Sequence, residues 1–142
     1  MPALANEIVG SIQDGKTSLR IPLQKKEQLY GFGLNFQTVH QRGKILNLHV
    51  DHYGGKDNGR THAPVPFYIS SLGYGVFINS ARYLTVYAGS GARKDSPNAP
   101  VAKDRNTDKT WTASPYSDAV SILVPAPGAE IYIFAGPTPM DV

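Results

Sequence analysis

The stretch that decides the fold is 64-PVPFYISSLGYGVFIN-79. Its first half alternates, with Val65, Phe67 and Ile69 on one side. Its second half places Tyr74, Val76 and Ile78 on one side. Side chains two apart share a face of a strand, and the β-branched and aromatic content suits a pleated sheet. Between them, Ser70-Ser71-Leu72-Gly73 is short and ends on a glycine that can take a positive φ, so the two strands form a hairpin.

Similar strand patterns extend in both directions. On the N-terminal side are EIVGSIQ, TSLRIPL, QLYGFGL and KILNLHV; on the C-terminal side are RYLTVYA, AVSILV and AEIYIFA. In the last, Ile131 and Ile133 share one face, and Tyr132 and Phe134 share the other. Asp14-Gly15 is a two-residue hairpin signal between two of these strands. The 14 glycines and 11 prolines are spread through the chain and leave little room for helices. About nine short strands punctuated by turns predict an all-β fold, an antiparallel β-sandwich or barrel. The polar tract from Gly89 to Asp118 holds only Val101, Trp111 and Tyr116 as large apolar residues and reads as a long loop or a frayed extra hairpin.

The 142 residues suit one domain, 1–142, that needs no disulfide or metal to hold its core. Absence of cysteine excludes disulfides, zinc-thiolate sites and thiol catalysis. A net charge of +3, spread thinly, gives no reason to expect nucleic acid, and no apolar run approaches the ~18 residues of a membrane span. The sequence selects no compartment.

Chemistry-bearing residues gather just before the hairpin. His49, Asp51, His52 and His62 lie within HVDHYGGKDNGRTH. His49 and Asp51 share one strand face, with Leu46, Leu48 and Val50 on the other, which is expected to face the core. The spacing matches no compact ligand motif, so no metal is assigned. Gly31 and Gly33 in YGFGLN lack the third glycine of a dinucleotide fingerprint and are read as a bulge or a close backbone approach. There is no G-x-S-x-G, and no pair of carboxylates stands out for glycosidase chemistry. In GPTPMDV, Thr138 stands as a helix N-cap, Pro139 at the first helical position and Asp141 as the capping carboxylate, a helix start followed at once by Val142. The expectation is that this chain is a fragment of a longer protein.

Three motifs carry a resemblance. Glu27-Gln28-Leu29-Tyr30-Gly31-Phe32-Gly33 resembles the E-x-x-Y-G-[LF]-G strand of glycoside hydrolase family 31. Residues 66–79 resemble that family's P-F-Y-I-S-S…G-Y-G-V-F-[IV] hairpin, and residues 131–142 its Y-[IV]-F-x-G-P-T-P stretch. The resemblance implies a galactose-mutarotase-like N-terminal β-sandwich, with a catalytic (β/α)₈ barrel following Val142. It implies retaining, exo-acting α-glycosidases whose catalytic aspartates lie in that barrel, so residues 1–142 hold no catalytic residue, need no cofactor and are inactive alone. The partners implied are the barrel of the same chain and an oligosaccharide or α-glycoside substrate. Asp51 matches a family aspartate that hydrogen-bonds sugar hydroxyls, and His52 is its neighbour; both are expected to bind substrate. A free-standing carbohydrate-binding β-sandwich module is the alternative.

Overall fold

The structure, a computed structural model, describes residues 7–35, 38–50, 61–90, 106–107, 109 and 116–142. Nine strands are present among them: β1 Val9–Gln13, β2 Lys16–Pro22, β3 Leu29–Gly33, β4 Lys44–Leu48, β5 Pro64–Ser70, β6 Tyr74–Asn79, β7 Leu84–Ser90, β8 Tyr116–Val124 and β9 Glu130–Ala135. They form two antiparallel sheets, one of five strands in the order β1-β2-β8-β7-β4 and one of four in the order β3-β5-β6-β9. The fold is the expected antiparallel β-sandwich.

The core lies between the sheets. The five-stranded sheet contributes Leu19, Ile21, Leu46, Leu48, Leu84, Val86, Val120 and Ile122, and the four-stranded sheet contributes Leu29, Phe32, Tyr68, Tyr74, Val76 and Ile78. Each large apolar side chain removed from water here stabilises the fold by about 1.5–3 kcal/mol. In β2 the alternation is sharp: Thr17, Leu19 and Ile21 are buried, while Ser18 and Arg20 face out.

The decisive hairpin forms as its sequence indicates, with Gly73 at φ 75°. Its register pairs Tyr68 with Val76 and Ser70 with Tyr74. Directly paired residues share a face, so Tyr68 and Ser70 enter the core beside Tyr74, Val76 and Ile78. Val65, Phe67 and Ile69 therefore lie on the outer face of the four-stranded sheet. Pairing register, not hydrophobicity, decides which alternating set of β5 is buried.

The glycine pair marks a bulge. The β3–β5 register shifts between Gly31 and Gly33, and Phe32 between them sits at φ 62° with its ring buried and stacked on Tyr68, centroids 5.1 Å apart. A side chain at Gly33 would run into the Ala63 carbonyl, so the backbones approach here as only glycine permits. Asp14 and Gly15 both have positive φ and connect Gln13 to its partner Lys16, the expected two-residue turn. Thr138 caps a single 3₁₀ turn, Pro139–Asp141, with Asp141 completing a capping box. Strand structure takes in both margins of the polar tract, because β7 runs through Ser90 and β8 begins at Tyr116. Most of the tract, Trp111 included, lies outside the described residues.

Strand directions gather the connections at two ends. The Asp14–Gly15 turn, His49, Val50 and Thr61, residues 80–83 and residues 125–129 share one end. The Ser71–Gly73 loop and Gly136–Val142 share the other.

Candidate functional site

Asp51 and His52, the two residues expected to bind substrate, lie outside the described residues, within 51–60. What is described is the frame from which that segment leaves and to which it returns. Leu46 and Leu48 of β4 are buried as expected, whereas Val50, also expected to face the core, is exposed and forms a parallel bridge to Thr61. The Thr61 N–H reaches the His49 carbonyl at 3.5 Å. Thr61 is buried, and its hydroxyl donates to the Leu34 carbonyl and accepts from the Ala63 N–H at 3.3 Å. The Leu34 N–H in turn donates to the Ala63 carbonyl at 3.1 Å. The ten-residue segment is thus pinned at both ends, to β4 and to the bulged end of β3.

Beside this base the His49 ring packs on Tyr83, centroids 4.0 Å apart. A groove of about 190 Å³ runs beneath, lined by Leu48, Val50, Pro64, Arg82 and Tyr83 among others. Of the remaining histidines, His62 follows Thr61 on the surface, and His40 bridges Tyr30 in the backbone. Among the described residues no group of three or more His, Cys, Asp or Glu side chains is placed to hold a metal.

Sequence reasoning missed a second polar cluster, at the opposite end of the sandwich. Glu27 is buried, and its Oε1 accepts hydrogen bonds from Ser70 Oγ at 2.5 Å and from the Tyr74 hydroxyl. Its Oε2 accepts the Gln24 N–H at 2.8 Å. Arg42 donates to the carbonyls of Gln24 and Glu27, at 2.7 and 2.6 Å. Burial, and then the hydrogen bond to Glu27, push the Tyr74 hydroxyl far above the usual tyrosine range. Burial also raises Tyr68, helped by Tyr74 and Glu27 nearby. This cluster ties the lead-in of β3 to the β5–β6 hairpin. It joins the first letter of E-x-x-Y-G-F-G to the Ser and Tyr of the hairpin motif.

Residues 6–86 match the glycosyl hydrolase 31 N-terminal galactose mutarotase-like domain. The chain belongs to this family. The glycosyl hydrolase 31 N-terminal domain is similar over 57 residues, at 35% identity, to an isomaltosyltransferase of Sporosarcina globispora; the match covers 40% of this chain and 5% of that protein. Over 67 residues it is 37% identical to an alpha-xylosidase of Emericella nidulans, covering 47% of this chain and 8% of the relative. In structure it superimposes on a Flavobacterium johnsoniae GH31 dextranase complexed with glucose, with a TM-score of 0.61 and 22% identity, over 89% of this chain and 13% of the dextranase. The domain thus spans a small part of each of these proteins.

Proposed function

We propose that this glycosyl hydrolase 31 N-terminal domain is the non-catalytic β-sandwich of a retaining, exo-acting α-glycosidase. In that protein it presents the 51–60 segment to the first sugar subsite, and a (β/α)₈ barrel further along the chain supplies both catalytic carboxylates. The observation that carries the reading is the family match over residues 6–86, in a chain that spans 5% and 8% of the two glycoside-acting relatives. Asp51 accepts hydrogen bonds from substrate hydroxyls, and His52 lies beside it. A carboxylate suits this role because bonds to a charged acceptor are the stronger ones. The pinned base at Val50 and Thr61 supports the reading, since a subsite residue acts best from a fixed frame.

The two outer faces of the sandwich differ, and the difference supports a choice of interface. The five-stranded sheet turns out a mixed set, Ser18, Arg20, Ser121, Thr85 and Asn47 together with Ile45, Tyr87 and Leu123. The four-stranded sheet turns out Val65, Phe67, Ile69, Phe77, Tyr132 and Phe134. Phe67 meets Phe134 edge to face at 6.0 Å, and Phe77 lies 6.1 Å from Tyr132. The Phe67 ring and the Val142 side chain cover Gly75, where a Cβ would lie 2.9 and 2.6 Å from them. Tyr132, Phe134 and Val65 remain 44–45% exposed. This aromatic face is the one we assign to the barrel. An interface of roughly 600–1,500 Å² between domains is usual.

The test uses the longer protein. A carboxylate bonded to a substrate hydroxyl contributes about 1.5–3 kcal/mol, so Asp51→Ala should lower kcat/KM roughly 10- to 150-fold with melting little changed. His52→Ala should lower it less, and a chelator should leave activity unaltered. Full kcat/KM in Asp51→Ala overturns the subsite assignment. The 142-residue chain alone should not turn over aryl α-glucoside, α-xyloside or α-galactoside. Turnover above a heat-killed control that survives repurification overturns the non-catalytic reading.

A further inference from the structure

The outer face of the five-stranded sheet carries a second concavity, separate from the base of the 51–60 segment and absent from the sequence reading. It is an open hollow of about 530 Å³ lined by residues of β1, β2, β7 and β8 and the connections beside them. That volume falls in the range of small-molecule sites, about 300–1,000 Å³.

Its floor is one cross-strand row. Ser11 pairs with Ser18, Ser18 with Leu123, and Leu123 with Thr85. With strands about 4.8 Å apart, the row from Ser11 to Thr85 is about 14 Å long. Leu123 is 41% exposed and gives the floor an apolar centre between hydroxyls. The rim is formed by Asp14, Lys16, Pro125 and Tyr83. Tyr83 is 65% exposed, although His49 packs against its ring.

Two features fix this shape without a ligand. The two-residue Asp14–Gly15 turn closes β1 directly onto β2. On the other side, buried Thr17 donates its hydroxyl to the Ala126 carbonyl and accepts the Gly128 N–H, both at 2.7 Å, which holds the segment after Pro125. The side chains of Ser11, Asp14, Lys16, Ser18 and Thr85 engage no other described residue in a hydrogen bond or ion pair. The hollow therefore offers several hydroxyls, one carboxylate and one ammonium group around a small apolar floor, with an aromatic ring at its edge.

We infer that this hollow is a binding site for a neutral oligosaccharide. A sugar ring has an apolar face of C–H groups and an equator of hydroxyls that both donate and accept. The exposed Tyr83 ring and Leu123 match the first, and the Ser, Thr, Asp and Lys groups match the second. An anionic ligand would meet Asp14, a cationic one would meet Lys16, and a wholly apolar one would strand the hydroxyls. Tyr83 also lines the groove beside Val50 and Pro64, so a chain seated in the hollow leads past Tyr83 toward that groove. The choice of α-linked glucose units as probe rests on the proposed function; the hollow itself does not.

The 142-residue chain is titrated with isomaltotriose, and with cellotriose as a β-linked control, while amide NMR shifts are followed. Saturable shifts confined to Ser11–Ser18, Tyr83–Thr85, Leu123 and Val124 are expected. Tyr83→Ala should weaken binding about tenfold, the size of losing one aromatic anchor, and Ser18→Trp should abolish it by filling the floor while leaving the remaining amides in place. Shifts confined to another surface, or no shifts with isomaltotriose up to 50-fold excess, overturn the inference. Tighter binding of cellotriose would retain the site and overturn the α-linked ligand. In the longer protein, hydrolysis of an aryl α-glucoside combined with no binding at the hollow sinks this inference alone. Binding at the hollow in a parent protein with no barrel sinks the proposed function alone.

Discussion

Removing the Glu27 carboxylate tests whether the sandwich depends on its buried polar cluster. In Glu27→Ala, Ser70 Oγ and the Tyr74 hydroxyl lose their acceptor inside the protein, and the Gln24 N–H loses its own. A buried donor left without a partner costs about 1–3 kcal/mol. Two such donors, plus the void left by the side chain, give about 3–6 kcal/mol. That is a large share of a stability that is about 5–15 kcal/mol for a domain. Glu27→Gln should cost less, about 1–3 kcal/mol, because an amide oxygen still serves Ser70 and Tyr74 while its NH₂ meets the Gln24 N–H head-on. Urea denaturation followed by tyrosine and tryptophan fluorescence measures both. The midpoint should fall sharply in Glu27→Ala and moderately in Glu27→Gln, at unchanged slope. A double-mutant cycle with Tyr74→Phe should return a coupling of about 0.5–3 kcal/mol. Loss of less than about 1 kcal/mol in Glu27→Ala, or no coupling to Tyr74, would refute the claim that this cluster ties the lead-in of β3 to the β5–β6 hairpin.

Three further outcomes are expected. Tyr68 and Tyr74 bind their protons more tightly folded than unfolded, so their contribution is full below the unfolded value of about pH 10 and is lost as pH rises above it; a urea midpoint that stays constant to pH 11 contradicts this. Gly33→Ala combines a positive φ with overlap on the Ala63 carbonyl and should cost about 2–5 kcal/mol, read by thermal melting, whereas a change under 1 kcal/mol would show that the bulge relaxes freely. The uncovered aromatic face should drive self-association of the 142-residue chain, and Phe134→Ser should reduce it; light scattering that finds a monomer at millimolar concentration counts against that surface as an interface.

Much of the fold was legible because its signals are local. The Asp14–Gly15 turn, the β5–β6 hairpin, the glycine bulge and the Thr138 capping box each depend on a few adjacent residues, and each is present. The orientation of β5 was not legible, because both of its alternating sets carry apolar or aromatic residues. The register with β6 makes that choice. Glu27 and Ser70 read as surface residues from their type alone. They are buried because each satisfies the other across 43 positions of sequence, a match that no local window contains. The hollow is built from ordinary Ser and Thr residues on three strands around Leu123 of β8, and only the pairing of β8 with β2 and β7 brings them together. At the proposed subsite, the described residues give the frame of Val50 and Thr61, while Asp51 and His52 remain outside them.

The β2–β8 pairing also bears on how the chain is made. Thr17 and its partner Ala126 are 109 positions apart. A ribosome adding about 5–20 residues per second needs roughly 5–20 s to span that gap. Throughout that interval the nascent β1–β2 hairpin has one edge unpaired and Leu19 and Ile21 uncovered, a state open to pairing with another chain. Lys16 and Arg20 project from the same strand, and like charges on neighbouring copies repel. The five-stranded sheet closes only once β8 has been made, and conditions that slow translation lengthen the hairpin's exposure to aggregation.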